Sequence, residues 1–244
     1  MIAIGTSGYN YPEWRGTFYP EKFPTGKMLP YYAERFSTVE INYTFYRMPS
    51  AKTIAGWVAD TPAGFSFTLK APQRITHFAR LREIGDPLRY FLDTAAGLGP
   101  KLGPVLFQLP PNFKKDLVRL GGLLEQLPAG LRCAMEFRHE SWFSDDVYER
   151  LRAANAALCV ADTEDDTTPV EVTADWGYLR LRDQGYTATD LEEWGRRIKE
   201  LDARWRDTFV YFKHEEAGTG PAFARQLREL LDRLPCHPSP CPLP

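Results

Sequence analysis

Eight short runs of this chain alternate apolar and polar side chains, and that alternation restricts the available folds more than any other feature. They cover residues 2–7, 38–42, 66–70, 105–108, 133–138, 158–162, 178–182 and 209–213. Successive side chains of a strand point to opposite faces. One face gathers Ile2, Ile4, Val39, Ile41, Phe67, Leu69, Met135, Phe137, Leu179, Leu181, Val210 and Phe212. The other gathers Ser7, Glu40, Asn42, Lys70, Gln108, Glu136, Arg138, Arg180, Arg182 and Lys213, nearly all near the C-terminal end of their run.

Helical stripes lie between most of these runs. Leu191, Trp194, Ile198 and Leu201 recur at helical spacing, with Thr189 and Glu192 in a capping-box pattern ahead of them. Phe223, Leu227, Leu230 and Leu234 form a second stripe behind Pro221, a residue suited to a first helical turn. Further stripes are Leu117, Leu120 and Leu124; Val147 and Leu151 after Ser144; Leu88, Leu92, Ala95 and Leu98; and Ile54 with Val58 after Ser50. After the sixth run, residues 163–168 leave room only for a short or missing helix.

Strand–helix alternation fits a doubly wound open sheet as well as a closed barrel. An open parallel sheet is covered on both faces and its strands are apolar throughout. Here one face carries polar residues at its C-terminal end. The sequence therefore predicts an α/β fold, a single (β/α)8 TIM barrel over residues 1–234 with an irregular unit after strand 6. Its length of 244 residues suits one such barrel. Residues 235–244, rich in proline, are expected to form a disordered tail. Cys236, His237 and Cys241 there lack zinc-ligand spacing. Cys133 and Cys159 fall inside strands and should be buried and reduced. No apolar run approaches a bilayer-spanning length and the first residues lack a signal-peptide layout, so a cytoplasmic protein without membrane contact is expected. The oligomeric state is not legible.

Active sites of such barrels sit at the C-terminal ends of the strands. There the inward face sets two carboxylates, Glu40 and Glu136, against five cations, Lys70, Arg138, Arg180, Arg182 and Lys213. The mouth thus carries an excess of three positive charges in a chain whose net charge is −2. Unpaired buried charge is costly, which points to an anionic ligand, with Arg180 and Arg182 placed to clamp phosphate or carboxylate bidentately. A self-satisfied network around Glu40 and Glu136 would still leave three cations over. Gly218 and Gly220, in the loop before the last helix, add backbone N–H groups that could face an anion. Asn42 and Gln108 supply neutral polar groups. Tyr9 and Trp14, in the aromatic loop after strand 1, are expected to be partly accessible for stacking. His77, His139, His214 and Asp162 also fall near strand ends, but alternation turns Asp162 toward the helices and the crowd of cations opposes a tightly bound metal. No metal and no cofactor are expected.

The motifs also resemble a known family. Gly5-Thr6-Ser7-Gly8-Tyr9 with Trp14-Arg15-Gly16, Val39-Glu40-Ile41-Asn42, Lys70-Ala71-Pro72, Phe107-Gln108-Leu109-Pro110-Pro111, Glu136-Phe137-Arg138-His139 and Tyr211-Phe212-Lys213-His214-Glu215 are similar to those of the YecE-like family. The resemblance implies a TIM barrel and, by structural analogy with barrel endonucleases, a link to nucleic acids. It implies no reaction. Many members carry Asn-Asn after strand 8 where this chain has Lys213-His214.

The expected function is that of an enzyme acting on a small phosphorylated or carboxylated substrate: a metal-independent hydrolase, lyase or isomerase. Glu136 or Glu40 would be the general acid or base, and Lys70 or Lys213 a Schiff-base nucleophile if cationic neighbours lower its pKa. One alternative is a nucleic-acid-binding module that recognises phosphodiesters. The other is a non-catalytic anion-binding protein.

Overall fold

A computed structural model describes residues 1–164 and 166–234; the Pro-rich tail lies outside the described residues. Strands β1 (Ile2–Thr6), β2 (Thr38–Ile41), β3 (Ser66–Lys70), β4 (Leu102–Gln108), β5 (Cys133–Glu136), β6 (Ala157–Asp162), β7 (Trp176–Leu181) and β8 (Asp207–Phe212) form one parallel sheet. Each strand except β1 and β2 is ladder-paired with both neighbours in the ring, and β1 also pairs with β8. A single parallel bridge between Ser7 and Glu40 joins β1 to β2 and nearly closes the barrel. Tyr32 reinforces this seam. Its hydroxyl accepts from Thr6 N at 2.8 Å and donates to Thr38 O at 3.0 Å. Gly5 is required here, because a Cβ on it would lie 2.2 Å from Thr38 O.

Helices α1 (Met28–Ala33), α2 (Tyr43–Tyr46), α3 (Ala51–Ala59), α4 (Gly85–Ala96), α5 (Leu117–Leu124), α6 (Asp145–Ala153), α7 (Ala188–Asp202) and α8 (Thr219–Arg233) fill the βα connections. No helix follows β6 among the described residues, as the short segment predicts. Ser50 caps α3 through Thr53 N at 3.1 Å. α7 departs from its expected start: the capping box is Thr187 with Asp190, not Thr189 with Glu192. Asp190 accepts from both the Thr187 N–H and its hydroxyl at 2.7 Å, so the helix begins two residues earlier.

The alternation sorts the core into two parts. Ile4, Val39, Ile41, Phe67, Leu69, Met135, Phe137, Leu179, Leu181, Val210 and Phe212 meet the helices. Inside the barrel, Trp176, Tyr178, Phe209 and Tyr211 on β7 and β8 fill the space left by Ala3, Ala134, Ala157 and Ala161 on the other strands. Interdigitation of large and small residues makes the lower barrel a packed core; apart from Thr38 and Thr68, which bond the Tyr211 hydroxyl, its inward polar residues lie toward the top. Cys133 and Cys159 are free and buried, as expected.

Candidate functional site

Tyr211 and Tyr178 mark the upper limit of the packed interior. Tyr211 shares its hydroxyl with Thr38 and Thr68 at 2.6 and 2.7 Å. Tyr178 donates to Glu40 Oε2 at 2.5 Å. Immediately above lies an ion network contributed by three distant strands. Arg180 donates from Nη2 to Glu40 Oε1 at 2.8 Å and from Nη1 to Glu136 Oε2 at 2.5 Å. Ser7 Oγ donates to Glu40 Oε1 at 2.5 Å. Arg138 donates from Nε and Nη2 to Glu136 Oε1 at 2.9 and 2.8 Å. Glu40 and Glu136 are 0% exposed and Arg180 1%.

This geometry corrects two expectations. Arg180 is not half of an anion clamp, since both its Nη groups are committed to carboxylates beneath the mouth. Glu40 does not reach a substrate, because Ser7, Tyr178 and Arg180 occupy its two oxygens and cover it. Burial works against both carboxylate charges. Even so, Arg180 with the Ser7 and Tyr178 hydroxyls holds Glu40 below the ordinary carboxylate range. Arg180 and Arg138 hold Glu136 down at about 2. Glu136 also borders the open cleft, but a carboxylate so acidic is a feeble general base at neutral pH.

Glu40 and Glu136 are balanced by Arg180 and Arg138, so the surplus charge belongs to Lys70, Arg182 and Lys213. All three are half-buried. Lys213 has only a distant partner, Glu215 Oε1 at 4.0 Å. Lys70 and Arg182 form no side-chain hydrogen bond or ion pair among the described residues. Arg182 Nε is buried without a partner, as are Asn42 Nδ2 and Oδ1, His214 Nδ1 and, in the floor itself, Arg180 Nε. Buried polar groups are normally satisfied, so orphans clustered at one mouth point to a ligand. Burial and the neighbouring Arg180 bring Lys70 down to about 8. Arg182 is lowered by burial with Arg180 and Arg138, and Lys213 by burial with Arg182 and Arg180. Gln108 is buried at the end of β4, in register with Glu136.

Two clefts open at the mouth, one beside Arg182 and one beside Lys213. One of about 400 Å3 is lined by Glu136, Arg138, Ala161, Arg182 and Gln184, with Glu164 and Asp166 at its exposed edge. The other, of about 280 Å3, is lined by Gln184, Lys213, His214, Glu215 and Thr219. Gln184 borders both and was not singled out from the sequence, where it reads as an ordinary loop residue.

The remaining expected residues are placed elsewhere. Trp14 is 0% exposed and donates from Nε1 to Glu215 O at 3.0 Å, so it ties the β1 loop to the β8 loop and offers no stacking face. Tyr9 is half-buried, with its hydroxyl beside Trp57 and Asp60, facing the helical layer. Gly218 has φ +75° and lets Thr17 approach; Gly220 lets His214 O approach α8. Packing therefore explains both glycines. Asp162 faces the helices, as alternation predicts, accepting from Tyr186 at 2.5 Å and Trp194 at 3.1 Å. His214 Nε2 pairs with Asp183 O at 2.6 Å. Among the described residues, no group of three or more His, Cys, Asp and Glu side chains is arranged to hold a metal ion. No described helix is long and apolar enough to cross a membrane.

Tyr11 and His77 also belong at the rim. Tyr11 donates to Ser7 O at 2.8 Å and lies near Glu40 and Arg180; Gly8, at φ +90°, makes room for its ring. His77, on the π-helical turn Arg74–Phe78, sits edge-on to Phe45 with centroids 4.9 Å apart. Lys70 Nζ lies 4.1 Å from the same Phe45 centroid. Nothing in the sequence signals the π turn.

The fold defines a (β/α)8-barrel protein, with charged residues gathered at the C-terminal ends of its strands. The family model described as "Protein of unknown function DUF72" matches residues 3–242, and the chain belongs to the DUF72 family. The chain is similar to the UPF0759 protein YunF of Bacillus subtilis, at 29% identity over 95% of each sequence. It also resembles the crystal structure of a DUF72 family protein from Thermotoga maritima, with a TM-score of 0.85, 27% identity and coverage of 96% of this chain and 100% of that one. A DUF72 family protein from Enterococcus faecalis shares the fold, with a TM-score of 0.80 at 18% identity over 98% of both chains. The motif resemblance is thus supported at the level of DUF72, and the finer YecE-like designation is not carried further.

Proposed function

We propose that the mouth binds a small phosphorylated or carboxylated substrate and that the protein is an enzyme acting on it. The observation that carries this reading is the set of unpaired cations, Lys70 and Arg182, with the orphaned Asn42 amide, above a floor that is already neutralised. A purely structural network would end at Arg180 and Arg138. The combined cleft volume suits a small ligand. Arg182 and Lys213 hold the anion beside an Arg138 already bonded to Glu136, and Asn42, Gln108 and Gln184 orient it. Glu40 and Glu136 fix Arg180, and Lys70 is the group left free for chemistry.

Thermal denaturation in increasing inorganic phosphate, at constant ionic strength, tests the reading. At a hundredfold excess over Kd the fold should gain about 2.7 kcal/mol. That corresponds to a rise in Tm on the order of 5–10 °C for a chain of this size. An unchanged Tm across phosphate and short carboxylates would contradict it.

A second reading has its own observation. Tyr46, Phe78 and Tyr90 are 73%, 71% and 62% exposed. They border a groove of about 510 Å3 with Arg47 and Arg74. Exposed rings beside arginines suit single-stranded nucleic acid. Oligonucleotide affinity that falls by orders of magnitude between about 50 and 200 mM salt would favour this reading over a small-substrate site.

A further inference from the structure

We propose that Lys70 forms a Schiff base with its substrate, which makes that substrate a small aldehyde, ketone or 2-oxo acid that also bears a phosphate or carboxylate. This adds a reaction class to the anion-site reading, on which it rests.

The buried and half-buried lysines of this protein differ in what they touch. Lys101 is buried with three acceptors, Val58 O, Thr61 O and Thr61 Oγ1, at 2.7, 2.6 and 3.0 Å; it is a structural clamp. Lys213 leans toward Glu215. Lys70 instead holds its Nζ over the face of Phe45 at 4.1 Å, with no hydrogen-bond or ion-pair partner among the described residues. A lysine becomes nucleophilic when burial and adjacent cations favour the neutral amine. The charged groups acting on Lys70 are Arg180 and Arg138, opposed by Glu136 and Glu40, and burial outweighs each of them. The net effect is a pKa of about 8.

Position matters equally. β3 and β7 lie four places apart in the eight-strand ring, so Lys70 and Arg182 stand on opposite walls. An anion gripped by Arg182 would direct the other end of a short substrate toward Lys70. The amine lone pair attacks the carbonyl carbon, a C–N bond forms as the C=O π bond opens, and one proton of the nitrogen passes to the oxygen, giving a neutral carbinolamine. A second proton then lets its hydroxyl leave as water, giving a cationic iminium. The iminium carries the charge of the original ammonium, so the charge balance of the mouth is preserved. His77 touches the same Phe45 ring and is kept neutral by burial and by Lys70 and Arg138, which suits it to move these protons.

Reductive trapping tests the proposal on the unmodified full chain. The protein is incubated with pyridoxal 5′-phosphate or with pyridoxal, reduced with borohydride, and mapped by peptide mass. At pH 7.5 a lysine titrating near 8 holds a few hundredfold more neutral amine than an ordinary one. Lys70 should therefore label at least about tenfold faster than exposed Lys22 or Lys114. Its rate should level off above about pH 8, and phosphate should protect it. Labelling of Lys70 no faster than that of Lys22 and Lys114 would overturn the proposal. If phosphate raised Tm while Lys70 stayed unlabelled, the anion site would stand and the Schiff base would fall. Equal rapid labelling by both aldehydes, without protection by phosphate, would instead overturn the anion reading and the assigned substrate class.

Discussion

Arg180→Ala is expected to destabilise the fold by about 3–5 kcal/mol, the cost of leaving buried carboxylates without their cation. Glu40 and Glu136 are both fully buried and both bonded to this one guanidinium. On a chain of this size the loss lowers Tm by roughly 6–20 °C. The pH dependence should also reverse. In the native protein Glu136 is held at about 2, below its ordinary value of 4.5, so its contribution is fully present above pH 4.5 and disappears as the pH falls toward 2. In Arg180→Ala the same carboxyls are buried with less compensation and their folded pKa values rise. The variant should then regain stability as the pH falls through those raised values toward 4.5, above the range in which the native protein loses it. Equal losses at pH 4 and pH 7 would show that Arg180 is replaced by solvent and not by an uncompensated pair of charges.

The alternation of eight short runs carried most of the architecture, because period-2 patterning with polar residues at one end has few solutions other than a barrel. It also assigned faces correctly: Met135 and Phe137 meet the helices while Glu136 points inward. Alternation gives the face of a residue but not its depth. Arg180 and Arg182 share a face of β7, yet one lies beneath the mouth and the other within it. The pairing of Arg180 with Glu40 spans 140 residues and depends on strand order and stagger, which local pattern does not encode. Trp14 misled for a related reason. An aromatic on a βα loop reads as accessible until the β8 loop closes over it. Gly218 and Gly220 fitted an anion-loop pattern equally well as a close-packing one, and only the neighbouring Thr17 and His214 distinguish them.

Arg182→Ala should have the opposite profile to Arg180→Ala. Its guanidinium has no ion-pair partner among the described residues and is crowded by Arg180 and Arg138. Removing it should leave stability unchanged or slightly raised. Hydrogen bonds to charged groups contribute about 1.5–3 kcal/mol each. Phosphate affinity should therefore fall by roughly 10–150-fold, as measured by isothermal titration at fixed ionic strength so that general screening is held constant. Unchanged affinity would remove Arg182 from the anion site, and a large fall in Tm would make it a structural cation like Arg180.

In the proposed division of labour, Glu40, Arg180 and Glu136 form the floor, while Arg182 and Lys213 at the rim take the anion. A crystal structure of the protein grown with inorganic phosphate addresses this most directly. The expected result is phosphate in contact with Arg182 and Lys213, with both Nη groups of Arg180 still on Glu40 and Glu136. Phosphate bound by an Arg180 that has left its carboxylates, or phosphate absent from the mouth at saturating concentration, would contradict it.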